Sequence, residues 1–181
     1  MARILTPERV EADSLQSLVD VSFDPRFGEG WSAEQVASAL AMPGVRAAFA
    51  YADDDADDNT GPVTGSVTGP VTGSVTGPVT GPIGFALVRL VADEAELLLI
   101  AVRPEQRGKG TGRQLLDYAI EKCFTSGARD MFLEVRAKNI PAINLYKSRK
   151  FEVVGKRPGY YRSDKGELHD ALTMHLSLST R

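Results

Sequence analysis

Four cations and three glycines crowd into the segment Arg103-Pro104-Glu105-Gln106-Arg107-Gly108-Lys109-Gly110-Thr111-Gly112-Arg113. Glycine tolerates left-handed backbone, so alternate glycines let a chain turn sharply with successive N–H groups aimed into one concavity. Cations around such a concavity suit an anion with several acceptor oxygens, and a pyrophosphate is the natural guest. The common nucleotide loops do not fit. A Walker loop needs Gly-Lys-Ser/Thr, whereas Gly110 here separates Lys109 from Thr111. A dinucleotide fingerprint needs Gly-x-Gly-x-x-Gly, and Gly108-x-Gly110-x-Gly112 has the wrong third spacing.

Such a turn works only between elements that hold it. Before it, Ile83–Val91 and Glu94–Val102 read as two strands joined at Ala92-Asp93. After it, Leu115, Leu116, Ala119, Ile120, Cys123 and Phe124 form one apolar face of a helix from about Gly110 to Thr125, ended by Ser126-Gly127. The helix N-terminus adds unpaired amides and the positive end of a dipole.

Upstream, the segment after Thr6-Pro7 reads as helix to Phe23, with Leu15, Leu18 and Val19 at helical spacing. Ser32 with Gln35 forms a capping box for a second helix through Leu40, stopped by Met42-Pro43-Gly44. Val45–Tyr51 reads as a strand. From Asp53 to Pro82 the chain becomes an acidic run followed by Gly-Pro-Val-Thr and Gly-Ser-Val-Thr tetrads. Regular Gly and Pro exclude helix and any central strand, so residues 53–82 are expected to form a disordered hairpin loop with no chemical role. Downstream, Met131–Arg136 reads as a strand and Asn139–Arg149 as a helix with Pro141 in its first turn. Phe151–Arg157 and Ala171–Leu178 read as closing strands.

With 181 residues, 43% hydrophobic and 25% charged, the chain is the size of one soluble α/β domain spanning 1–181. A net charge of −3 gives no basic field to recommend nucleic acid as a partner. The single cysteine, Cys123, cannot form an internal disulfide, and no metal site is expected. No leader-like or membrane-length apolar run is visible, so a cytoplasmic setting is the expectation.

Arg107, Gly110 and Gly112 satisfy Arg/Gln-x-x-Gly-x-Gly/Ala, a pattern that resembles the coenzyme A signature of the Gcn5-related N-acetyltransferase (GNAT) superfamily. The resemblance extends through Glu94–Val102, Leu133-Glu134-Val135-Arg136-Ala137-Lys138-Asn139, Ala142-Ile143-Asn144-Leu145-Tyr146 and Arg157–Tyr161. These segments look most like the RimI-type ribosomal-protein-alanine N-acetyltransferases, and Phe27–Leu40, with Trp31-Ser32, is similar to their substrate-side helices. It implies a mostly antiparallel sheet of about seven strands, splayed in the middle and flanked by about four helices, with acetyl-CoA wedged between the fourth and fifth strands. Ile100, Ala101 and Val102 would present backbone groups to the thioester and pantetheine arm. Arg107, Gly108, Lys109, Gly110, Thr111, Gly112 and Arg113 would cradle the pyrophosphate, and Asn139 would hold the coenzyme arm.

The implied reaction transfers acetyl to a primary amine, most naturally a protein N-terminal α-amine, with a lysine or small-molecule amine as the alternative. A non-catalytic acyl-CoA-binding module is the reading from another class. Transfer needs a base for the ammonium, donors for the oxygen that gains charge, and an acid for the leaving thiolate. The resemblance assigns the base to Glu134, with Glu96 as runner-up, and the acid to Tyr146. Tyr160 and Tyr161 either line the peptide groove or pack a hairpin. Trp31 either walls that groove or staples the first two helices. His169 and His175 read as structural or exposed. Two departures stand out: Lys150 occupies a position where left-handed backbone is expected, and Gly30 stands where the resemblance has a proline, so the substrate-side loop is expected to be looser.

Overall fold

The computed structural model describes residues 2–7, 12–52 and 81–179; all but the last two residues of the 53–82 insert lie outside them. Seven strands and four helices follow one another as β1 (Arg3–Leu5), α1 (Ala12–Ser22), α2 (Ala33–Ala41), β2 (Val45–Tyr51), β3 (Gly84–Val91), β4 (Glu94–Val102), α3 (Thr111–Thr125), β5 (Asp130–Arg136), α4 (Ile140–Lys147), β6 (Glu152–Arg162) and β7 (Leu168–Ser177). They form one sheet in the order β1-β2-β3-β4-β5-β7-β6. Every neighbouring pair is antiparallel except β4–β5, which needs a crossover, supplied by α3.

Each face of the sheet buries its own cluster. Leu15 and Leu18 of α1 and Val36 of α2 pack on Phe49, Phe85, Leu87 and Leu99. Leu115, Leu116 and Ile120 of α3 pack on Leu97, Met131, Leu133 and Met174 from the other side. Burying each of these side chains stabilises the fold by roughly 1.5–3 kcal/mol before entropy is counted.

The sheet opens in its middle. β4 and β5 pair only from Glu94 to Leu97 and from Asp130 to Leu133, so Leu98–Val102 and Glu134–Arg136 run on without each other. The cause lies in β4. Leu87 sits opposite Leu99 while Val88 sits opposite Leu97, leaving Leu98 as an extra residue. Such a bulge kinks and twists a strand, here away from β5. The result is a notch whose floor is the last shared pair.

Two strand bounds read from the sequence need correction, and one strand has no reading there. Arg3–Leu5, too short to carry a period, pairs with β2 as an edge strand. β6 does not stop at Arg157 but continues to Arg162 past a register shift between Arg157 and Tyr161, so Tyr160 and Tyr161 stand on a strand. β7 begins at Leu168, before the expected Ala171. Lys150 does adopt left-handed backbone, with φ 69°.

Candidate active site

The glycine-rich turn is built as its composition predicts. Gly108 and Gly110 have φ of 76° and 89°, and Gly110 caps α3 without a side-chain hydrogen bond. Arg107 N–H donates to Pro104 O and Gln114 N–H to Gly110 O, but among the described residues no acceptor within the protein serves the N–H groups of 108 to 113. Six consecutive donors at the positive end of a fifteen-residue helix form a seat for an anion.

The cations are arranged differently from the expectation. Arg107 turns back into the protein, donating from Nε to Val102 O at 3.0 Å and from Nη2 to Ser22 O at 2.5 Å. Arg103 Nε donates to Pro82 O at 3.1 Å. Lys109 Nζ reaches Gln106 Oε1, and Arg113 is exposed. Lys109 and Arg113 therefore remain at the mouth of the seat, while Arg103 and Arg107 brace its walls. A guanidinium with several donors finds carbonyls at strand and helix ends more readily than an empty concavity.

Above the seat, β4 offers its backbone to the notch. Arg103 N–H donates to Ile83 O, which sets the phase of the antiparallel alternation between β3 and β4. Phe85 and Ala101 then face each other through hydrogen bonds, whereas the N–H and C=O groups of Ile100 and Val102 face the side from which β5 has departed. Ala101 does not present its backbone there, since its groups belong to the ladder.

Glu134 begins the unpaired end of β5. Met131, Leu133 and Val135 point into the core on the α3 side, so Glu134 projects from the opposite face. Its Oε1 accepts from Arg157 Nη1 at 2.7 Å, with the carboxyl side chain 20% exposed. The Arg157 guanidinium lies 4.1 Å from the Tyr160 ring centroid. Tyr161 packs edge-on against Tyr160 and its hydroxyl donates to Glu134 O at 3.3 Å. Hydrogen bonding to Glu134 and partial burial raise the Tyr160 hydroxyl pKa above its ordinary value.

Tyr146 approaches from the other face. It is buried in the α3-side cluster, edge-to-face with Phe151 at 5.9 Å. Burial raises its pKa well above that of a free tyrosine, and the Glu29 carboxylate adds to the rise. Burial does the same to Tyr161, which also feels Glu29, Glu134 and Tyr146. Glu134 and Tyr146 thus lie on opposite faces of the sheet, Glu134 just past the last β4–β5 pair and Tyr146 within the α3-side cluster.

Glu29 is a site residue that the sequence does not single out. It lies in the loop between α1 and α2, its side chain only 12% exposed, with Oε2 3.2 Å from Arg136 Nε. Its Oε1 accepts from Asn139 Nδ2 at 2.9 Å, and Asn139 Oδ1 caps α4 by accepting from Ala142 N–H. Asn139 is thereby engaged at both ends of its amide within the protein. A charged residue between Gly28 and Gly30 is the one visible signal. The same loop is contacted at Phe27, where the Arg136 guanidinium lies over the ring at 3.9 Å. Gly28, at φ 65°, sits so close to β6 that a Cβ there would come within 2.2 Å of Arg162 O.

Trp31 packs with the cluster between α1, α2 and the sheet, and its carbonyl accepts from Gln16. His175 pairs with Asp130 at 2.6 Å beside Phe132, and His169 packs on Phe27, both structural positions. Glu96 is exposed on β4, one strand away from Glu134. Among the described residues no group of His, Cys, Asp and Glu could hold a metal ion, and no helix is long and apolar enough to cross a membrane.

Comparison with known proteins gives a consistent picture. Residues 32–151 match the Acetyltransferase (GNAT) family. The chain is 42% identical over 95 residues to the [ribosomal protein bS18]-alanine N-acetyltransferase of Salmonella typhimurium, a match covering 52% of this chain and 64% of that relative. The Escherichia coli (strain K12) counterpart is 41% identical over 95 residues, with the same shares covered. The chain thus spans just under two thirds of the length of these curated relatives. The crystal structure of the ribosomal-protein-S18-alanine N-acetyltransferase from Escherichia coli superposes with a TM-score of 0.74 at 26% identity, covering 100% of this chain and 96% of that one. Arabidopsis thaliana NAA60, solved with acetyl-CoA, shares the fold at TM-score 0.73 and 17% identity, covering 98% of each chain.

Proposed function

The chain belongs to the Acetyltransferase (GNAT) family, and on that premise we propose that it transfers acetyl from acetyl-CoA to the N-terminal α-amine of a protein, of the ribosomal-protein-alanine type. The observation that carries this reading is the run of amide donors at residues 108 to 113, left without partners beside a notch in the sheet. A diphosphate in that seat directs its attached arm along the freed edge of β4. The backbone groups of Ile100 and the N–H of Val102 are placed to pair with an amide-bearing arm and to donate to an oxygen that gains negative charge, the Val102 carbonyl being held by Arg107.

Glu134 is the proposed base. An ammonium has no lone pair, so its proton must leave before the nitrogen attacks the acyl carbon, and a carboxylate facing the notch accepts it directly or through one water. Arg157 holds that carboxylate in place. Tyr146 is the proposed acid. A tyrosine hydroxyl carries its proton at neutral pH, and burial of Tyr146 only reinforces this, so the proton is present for the departing sulfur. The two residues lie on opposite faces of the sheet, and the proposed transfer has the amine arriving on one side and the thiol leaving on the other. Tyr160 and Tyr161 stand beside Glu134 and are proposed to flank the incoming peptide.

Mass spectrometry of peptides incubated with acetyl-CoA tests this. Acetylation of the α-amine, with alanine-initiated peptides preferred, is the expected result. Turnover of lysine side chains or polyamines alone would move the acceptor to the alternative class. Coenzyme binding without transfer to any amine would leave only the binding-module reading.

A further inference from the structure

We propose that Glu29 is a positioning residue for transfer: its carboxylate fastens the loop between α1 and α2 to the corner where β5 meets α4, and so fixes the wall against which the acceptor is held. The inference rests on the acetyltransferase reading and deepens it. A carboxylate seldom sits almost buried on a loop without a partner, because leaving water costs the charged form dearly. Here both oxygens face the same corner: Oε1 accepts a hydrogen bond from Asn139, and Oε2 pairs in charge with Arg136, whose buried Nε makes no hydrogen bond.

That corner is the part of the fold on which transfer depends. Arg136 is two residues beyond Glu134 on the same face of β5, and it grips the loop a second time by lying over Phe27. Asn139 caps the helix that carries Tyr146, so one amide joins the loop to that helix. Beside these contacts, the Glu29 charge adds to the burial that raises the Tyr146 and Tyr161 hydroxyls. Gly28 lies against the Arg162 backbone, closing the loop onto β6 as well. Gly-Glu-Gly makes a flexible stretch of chain, and the ion pair supplies the order that its backbone lacks.

The decisive comparison is wild type against Glu29→Gln, which keeps shape and an acceptor for Asn139 while removing the charge opposite Arg136. With an alanine-initiated peptide, the variant should raise the acceptor KM by about tenfold while the acetyl-CoA KM stays within about twofold. Amides of residues 24–31 should exchange with solvent faster in the variant, while those of α3 keep their protection. An acceptor KM within about twofold of wild type, or equal rises in both KM values, overturns the proposal. Unchanged exchange across 24–31 overturns it too, and this readout needs no turnover. If the wild-type protein itself acetylates no amine, the acetyltransferase reading fails first; wild-type turnover with an indifferent Glu29→Gln variant refutes the role of Glu29 alone.

Discussion

Glu134 is held by a guanidinium and Tyr146 by apolar packing, and the two constraints separate their mutants. Removing the charge in Glu134→Gln leaves an isosteric amide beside Arg157, so the fold and the anion seat should be undisturbed. Its kcat should fall by roughly 10²–10⁴ at neutral pH, with acetyl-CoA affinity unchanged by calorimetry. The deficit should narrow above pH ~8, where the α-amine loses its proton without help. A deficit that does not change with pH would remove Glu134 from the role of base. Tyr146→Phe keeps the ring against Phe151 and deletes only the hydroxyl. Single-turnover measurements should show transfer slowed by about 10²-fold with coenzyme affinity intact, and unchanged transfer would refute the acid assignment.

Among the elements, two positions with positive φ behave in opposite ways. Lys150 ends the turn after α4 with a Cβ in left-handed backbone, so Lys150→Gly should stabilise the protein by about 0.5–1 kcal/mol in urea denaturation. Gly28→Ala should do the reverse, since its methyl group would meet the Arg162 carbonyl. A lowered thermal midpoint and a weaker acceptor KM are the expected signs. Much at this scale is legible in the chain itself. The Ser32–Gln35 capping box forms as its residue types require, and the strand–turn–helix around Gly108–Gly112 follows from local periodicity and glycine placement. Other features leave no local trace. The partners of Glu29 include an amide 110 positions away, and Arg107 reaches a carbonyl 85 positions back, contacts that only the assembled sheet creates. For the same reason, the hydrogen bonds of Arg107 to the Val102 and Ser22 carbonyls are not readable from the pattern that assigns it to the phosphate.

Across the whole molecule, Cys123 and Tyr146 in the α3-side cluster, together with the partly buried Tyr161, set how stability responds to alkali. Burial pushes the Cys123 thiol up to about 11 and raises the pKa of Tyr146 and Tyr161 further still. In each case the folded pKa exceeds the unfolded one, so the native state holds the proton more tightly. Their contribution is therefore complete below the unfolded values, 9.0 for the thiol and 10.0 for the phenols, and is lost as pH climbs through the folded ones. Unfolding free energy measured by urea should not respond to these groups between neutrality and pH ~9, then decline. Cys123 should likewise resist thiol reagents in the native protein and react once it unfolds, because the thiolate is both scarce and buried.

Whether the turn before α3 seats an anion is read at the atoms involved by amide NMR during titration with coenzyme A. The N–H resonances of residues 108 to 113 should shift most and become protected from solvent exchange, with Ile100 and Val102 following. Coenzyme A lacking its diphosphate should leave the turn unmoved. Saturating coenzyme that perturbs other regions while these amides keep their free positions and exchange rates would contradict it.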